Sequence, residues 1–228
     1  MTENQLREEI VRVGRSLFER SYVHATAGNI SVRLPDGGFL ITPTDASLGH
    51  LDPARLARLD AGLQQTGGDR ASKTIALHAR IYEAAGRVAA TAGTRCVIHT
   101  HSTHCVALTL DGRDDEELLP PITPYFVMKV GHVPRIPYHR PGAPEAAEAV
   151  ARAIARHGER GTPIRAVMLA RLGPNVWHDS PAAAMAVLEE LEETAKLWWM
   201  SRDRPQGAPA PLDPSQIEDL RRQFGAHW

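Results

Sequence analysis

His99-Thr100-His101 ends an apolar run, Cys96-Val97-Ile98, and is the sharpest chemical signal in the chain. On a strand, residues two apart project from the same face. Two imidazoles held that way chelate a divalent cation, and zinc is the usual ion for histidine ligation. The bland alternative is a pair of partly buried polar side chains with no ion. His104 lies just beyond, where the strand gives way to a helix. Five of the 11 histidines fall between His99 and His139.

Three small polar loops offer a different chemistry: Gly28-Asn29, Thr42-Pro43-Thr44 and Ser72-Lys73-Thr74. Each has backbone N–H groups with hydroxyls or an amide, and the third is expected at a helix N-terminus. Backbone donors and a helix dipole together hold phosphates. Lys73 adds a point charge. Taken singly, each loop reads as an ordinary turn or cap; together they resemble a distributed anion site. Glu189, Glu190, Glu192 and Glu193 read as a solvated helix face.

Periodicity and breakers supply the elements that must position these groups. Leu6, Ile10, Val13 and Leu17 form one apolar stripe and predict a helix over 4–21. Strands are expected over 30–34 and 39–42 around Pro35-Asp36-Gly37-Gly38, then a short helix over 51–59 and a loop at Gly67-Gly68-Asp69. Ser72 reads as the N-cap of a helix that runs to Ala85 and stops at Gly86. A strand over 94–100 leads into a helix over 103–110. The stretch 111–141 carries six prolines and has room for two short strands, near 125–130 and 135–138. Pro144 opens a helix to about 157. A buried strand over 166–170 turns at Gly173-Pro174 into 175–178, and a long helix covers 181–200. The expected architecture is α/β in three layers, with a mostly antiparallel or mixed sheet and helices on both faces. Residues 1–201 make the main domain. Residues 202–228 are a proline-rich linker and a terminal helix, 214–224, expected to pack on a neighbour or second subunit.

Composition narrows the function. The 228 residues are 43% hydrophobic and 23% charged, ordinary for one globular domain. Twenty-six basic against 27 acidic residues give a net charge of −1, which argues against nucleic-acid and membrane-surface partners. No apolar run approaches the length of a membrane span. The N-terminus is polar rather than a signal sequence. Cys96 and Cys105 make no disulfide framework. The expected location is the cytoplasm.

With these residues in view, the chain resembles the class II aldolase/adducin family over about residues 4–201. The resemblance rests on Ala27-Gly28-Asn29-Ile30-Ser31, Ile41-Thr42-Pro43-Thr44, Ser72-Lys73-Thr74 followed by His78, and Val97-Ile98-His99-Thr100-His101-Ser102-Thr103-His104-Cys105. Further runs are similar to a subgroup, the 3-oxo-tetronate 4-phosphate decarboxylases: Ser16-Leu17-Phe18-Glu19-Arg20, Thr123-Pro124-Tyr125, Val133-Pro134, Pro137-Tyr138 with Arg140-Pro141-Gly142, and Leu191-Glu192-Glu193-Thr194-Ala195-Lys196-Leu197. The resemblance implies a zinc enzyme acting on a small sugar phosphate, usually as a homotetramer. It gives phosphate positions to Gly28, Asn29, Thr44, Asp45, Ser72 and Lys73, and two zinc positions to His99 and His101. Tyr125 matches a tyrosine that donates a proton from a neighbouring subunit.

Three family positions are altered. The acid/base glutamate falls at Thr74, a catalytic position where threonine cannot act as a base near neutral pH. The third zinc histidine falls at Leu172, which cannot bind a metal. Catalytic zinc usually has three protein ligands, so another donor is needed. His139 is the preferred candidate, with His178 second. Asp45 stands where a glycine is usual and would repel a phosphate unless turned away. The expected reaction is decarboxylation of 3-oxo-tetronate 4-phosphate to dihydroxyacetone phosphate. It needs an electron sink but no base at carbon, so it tolerates Thr74 better than aldol cleavage does. An aldolase or epimerase of the same family, and a non-catalytic binding module like adducin, stand as alternatives.

Overall fold

The computed structural model describes residues 1–110, 116–205 and 207–228. Helix α1 (Glu3–Glu19) starts at a capping box, in which Thr2 and Gln5 exchange side-chain and backbone hydrogen bonds. It buries the expected stripe of Leu6, Ile10, Val13 and Leu17. Strands β1 (Asn29–Arg33) and β2 (Phe39–Ile41) form the expected hairpin. The region 51–59 departs from expectation. It is a 3-10 turn, Pro53–Arg55, capped by Asp52, and then strand β3 (Ala57–Leu59), which pairs with β2. The expected helix does not form because Pro53 has no N–H to donate and the open edge of β2 favours extended chain. An edge strand, β4 (Gln65–Gly67), runs into the loop expected at Gly67-Gly68-Asp69.

Helix α2 (Ile75–Gly86), strand β5 (Cys96–His99) and helix α3 (Thr103–Leu108) follow in the expected order. The strand expected near 125–130 is instead a π-helical turn, Phe126–Val130. Phe-Val-Met-Lys-Val is rich in strand-forming residues, but Thr123 accepts a hydrogen bond from Phe126 N at 3.1 Å and starts helical winding. Short β6 (Arg135–Ile136), helix α4 (Pro144–Glu159), strands β7 (Ala166–Leu169) and β8 (Gly173–His178), and helices α5 (Pro181–Ser201) and α6 (Pro214–Phe224) complete the chain. Part of the proline-rich stretch, 111–115, lies outside the described residues.

Among the described residues, eight strands form one sheet, ordered β4-β3-β2-β1-β5-β8-β7-β6. Every pairing is antiparallel except β6 with β7, so the sheet is mixed as expected. One face buries Ile30, Val32, Ile98 and Val176 against α1, α3 and α5. The other buries Ile41, Val97, Leu169 and Trp177 against α2 and α4. Alternating side chains divide a strand between two layers in this way.

Helix α6 touches the π-helical turn of its own chain. Trp228, just beyond it, stacks on His132 with centroids 4.3 Å apart and meets the edge of Phe126. The run of four glutamates also departs from expectation. Glu192 is only 4% exposed. Its carboxylate accepts hydrogen bonds from the backbone N–H groups of His104 and Cys105 at 2.9 and 3.0 Å, and lies 2.8 Å from His104 Nδ1. It satisfies the first turn of α3, where donors lack intrahelical partners.

Candidate active site

The strand register places His99 at the centre of the sheet. Asn29 on β1 and Asn175 on β8 are its direct partners on either side. All three share the face covered by α2 and α4, and all three are buried. Nδ1 of His99 donates to the carbonyl oxygen of Pro174 at 2.9 Å. His101 lies just past the end of β5 and stands beside His99, with ring centroids 5.0 Å apart.

Burial disfavours charge on these rings. It pushes His99 down to about 4, helped by the neighbouring His101 and partly opposed by the Pro174 hydrogen bond. His101 is also lowered, by burial and then by His24. Both rings are therefore neutral at pH 7, with lone pairs to offer. Beneath them His78 is fully buried and pushed to about 3 by burial and then by His99. Its Nδ1 meets Ser31 Oγ at 2.7 Å, and Ser31 Oγ meets Tyr82 OH at 2.8 Å.

A cavity of about 500 Å³ opens over the histidine pair. Gly28, Asn29, Thr44, Asp45, Ser72, Lys73 and Thr74 line it, with His99, His101, His139 and Leu172. The three separate loops are thus brought to one chamber. Gly28 has φ +86°, and a Cβ there would fall 2.9 Å from the His99 carbonyl oxygen. Only glycine lets β1 start that close to β5. Asp45 has φ +57°, a left-handed conformation that glycine adopts without strain and aspartate tolerates.

Two local expectations change. Helix α2 begins at Ile75 with Thr74 in the cap position, and no side chain caps it. Ser72, expected to be the cap, pairs its hydroxyl with Thr74 Oγ1 at 2.8 Å. His178, the second choice for a metal ligand, pairs with Cys96 at the far end of β5 and contacts Asp179; it is not in the cavity lining. Tyr125 is 59% exposed and also lies outside that lining.

The fit to a divalent ion is a fit of two donors. His99 presents Nε2, because its Nδ1 proton is held by Pro174, an arrangement that orients metal-binding imidazoles. His139 reaches the same chamber from the loop after β6. Among the described residues, no three His, Cys, Asp or Glu side chains converge as a metal cluster. The histidine pair suits such an ion, and any further ligand would have to come from water, substrate oxygens or His139.

Sequence reasoning missed two charged groups in this wall. Arg80 on α2 and Glu148 on α4 form a bidentate pair, at 2.8 and 2.9 Å, and both line the cavity. Arg140 lines it as well. Arg80 and Glu148 lie outside the motifs, and only the packing of α2 on α4 joins them.

Comparison with known proteins followed the same residues. The profile of the Class II Aldolase and Adducin N-terminal domain matches residues 8–199. A Cupriavidus necator protein named 3-oxo-tetronate 4-phosphate decarboxylase is 50% identical over 229 residues, covering 100% of this chain and 99% of the relative. An Escherichia coli K12 protein of the same name is 42% identical over 204 residues, covering 89% and 90%. The crystal structure of Escherichia coli YgbL, described as a candidate aldolase/epimerase/decarboxylase, superposes with a TM-score of 0.83 at 39% identity, covering 96% of this chain and 99% of that one.

Proposed function

The chain belongs to the class II aldolase and adducin family, and from that premise we propose that it is a metal-dependent lyase that decarboxylates 3-oxo-tetronate 4-phosphate to dihydroxyacetone phosphate and CO2. The observation that carries this reading is the single chamber in which three donor-rich loops meet two neutral imidazoles. The names of the full-length relatives support the substrate.

In this reading the phosphate lies among Gly28, Asn29, Thr44, Ser72 and Lys73. The uncapped start of α2 turns its N–H groups and positive dipole end toward it. Asp45 is exposed at the rim of the same cavity, so solvent screens its charge. His99 and His101 hold one divalent ion, zinc by the chemistry of imidazole donors, with His139 as third ligand. Such an ion, when bound, withdraws electrons at the substrate carbonyl. Thr74 donates or accepts a hydrogen bond and moves no proton from carbon. Loss of CO2 needs no base there, and the carbon left behind takes a proton from water to give dihydroxyacetone phosphate, so Thr74 costs this reaction less than it costs aldol cleavage. Tyr125, exposed on its own chain, serves the site of a neighbouring subunit in a homotetramer. The enzyme works in the cytoplasm.

Thr74 and Leu172 favour a second reading, a non-catalytic module like adducin, because neither replaces the chemistry of the family residue. Metal content separates the two. Protein purified without chelator holds stoichiometric divalent metal if it is the enzyme. His99→Ala then loses it. Metal-free wild type contradicts the enzyme reading.

A further inference from the structure

Three cations line the cavity: Lys73, Arg80 and Arg140. Arg80 is already neutralised, since Glu148 takes its Nε and one terminal nitrogen and Glu83 takes the other. Lys73 stands beside the hydroxyls and backbone N–H groups that open α2, a set suited to a tetrahedral phosphate. Arg140 has a different setting. It lies in the turn before α4, where its carbonyl accepts from Ala143 N at 3.0 Å. Pro137, Pro141 and Pro144 lack N–H groups. This wall therefore offers few backbone donors with which to cradle a phosphate. Its charged donor is a planar guanidinium, and among the described residues Arg140 makes no ion pair or side-chain hydrogen bond.

We propose that Arg140 is the specificity-determining residue for the carboxylate of the substrate. The inference rests on the sugar-acid reading above. A substrate with an anion at each end needs two separate cations, and Lys73 and Arg140 come from different elements of one chamber. The guanidinium fork matches a planar carboxylate through paired charge-assisted hydrogen bonds. The contact is to the group that departs as CO2, so it is made in the ground state and fades as the carbon–carbon bond breaks. Removing it raises KM and leaves kcat unchanged or higher.

The test compares two ligands by calorimetry on metal-containing protein. One is 4-phosphoerythronate, a four-carbon acid phosphate with no ketone to decarboxylate. The other is dihydroxyacetone phosphate, which has the phosphate and no carboxylate. Arg140→Gln should weaken the acid at least about tenfold, the scale of one charge-assisted hydrogen bond. It should leave the triose phosphate within about twofold, and Arg140→Lys should recover part of the loss. Equal weakening of both ligands, or of neither, overturns the role of Arg140 alone. Wild-type protein that binds neither ligand overturns the sugar-acid reading and this inference with it.

Discussion

The carbonyl oxygen of Pro174 lies 2.9 Å from Nδ1 of His99 and fixes the tautomer of that imidazole. A carbonyl only accepts, so the proton sits on Nδ1 and the lone pair on Nε2. Pro174 follows Gly173, whose φ is +115° and whose added Cβ would fall 2.3 Å from the Thr100 carbonyl oxygen. The turn into β8 therefore packs against the backbone of the His99-Thr100-His101 segment. Leu172, one residue earlier, lines the same cavity as the two histidines.

Leu172→His should therefore strengthen metal binding. It adds a third imidazole at the position the resemblance assigns to one, and the affinity of the apo protein for zinc should rise by about tenfold or more. Competition against a fluorescent chelator measures this. An unchanged affinity would mean that position 172 does not face the ion.

Acid should destabilise the metal-free protein. His78 and His99 titrate near 3 and 4 when folded, against about 6.5 unfolded. Between those values the unfolded chain binds more protons, so stability rises with pH across the window. The contribution is intact above about pH 6.5 and is lost as pH falls toward the folded values. At pH 5 each histidine costs about 2 kcal/mol. Urea midpoints should fall between pH 7 and pH 5, with a shallower fall for His78→Gln. A flat midpoint in the wild type contradicts the depressed values.

Glu192 ties α5 to the start of α3, directly after the histidine pair. Glu192→Ala leaves the His104 and Cys105 N–H groups without their acceptor. The expected loss is about 2–4 kcal/mol in chemical denaturation. Glu192→Gln keeps an acceptor oxygen and should lose less. Equal stability of all three proteins would sink the assignment.

Much of this structure was legible in the residues. The stripe of α1, the proline that opens α4, and the strand that ends in His-x-His are local signals, and local rules read them. What failed was decided by packing. Ala57–Leu59 is a strand because β2 has an open edge, and Phe126–Val130 winds as a helix against α5. Glu192 looks in sequence like the exposed Glu193 beside it until the fold sets it under α3. The site shows the same division. Three turns and two histidines could be named from sequence, whereas their union in one chamber, the Arg80–Glu148 wall and the place of Arg140 in that lining depend on contacts between distant segments.

The central claim is the reaction, and product analysis tests it most directly. Metal-replete protein is given 3-oxo-tetronate 4-phosphate, and CO2 and dihydroxyacetone phosphate are measured together. The same protein is then given a ketose 1-phosphate such as L-fuculose 1-phosphate. The account predicts equal amounts of CO2 and triose phosphate from the acid, formed faster than any cleavage of the ketose. Faster aldol cleavage, or no CO2 from a protein shown to hold its metal, would contradict it.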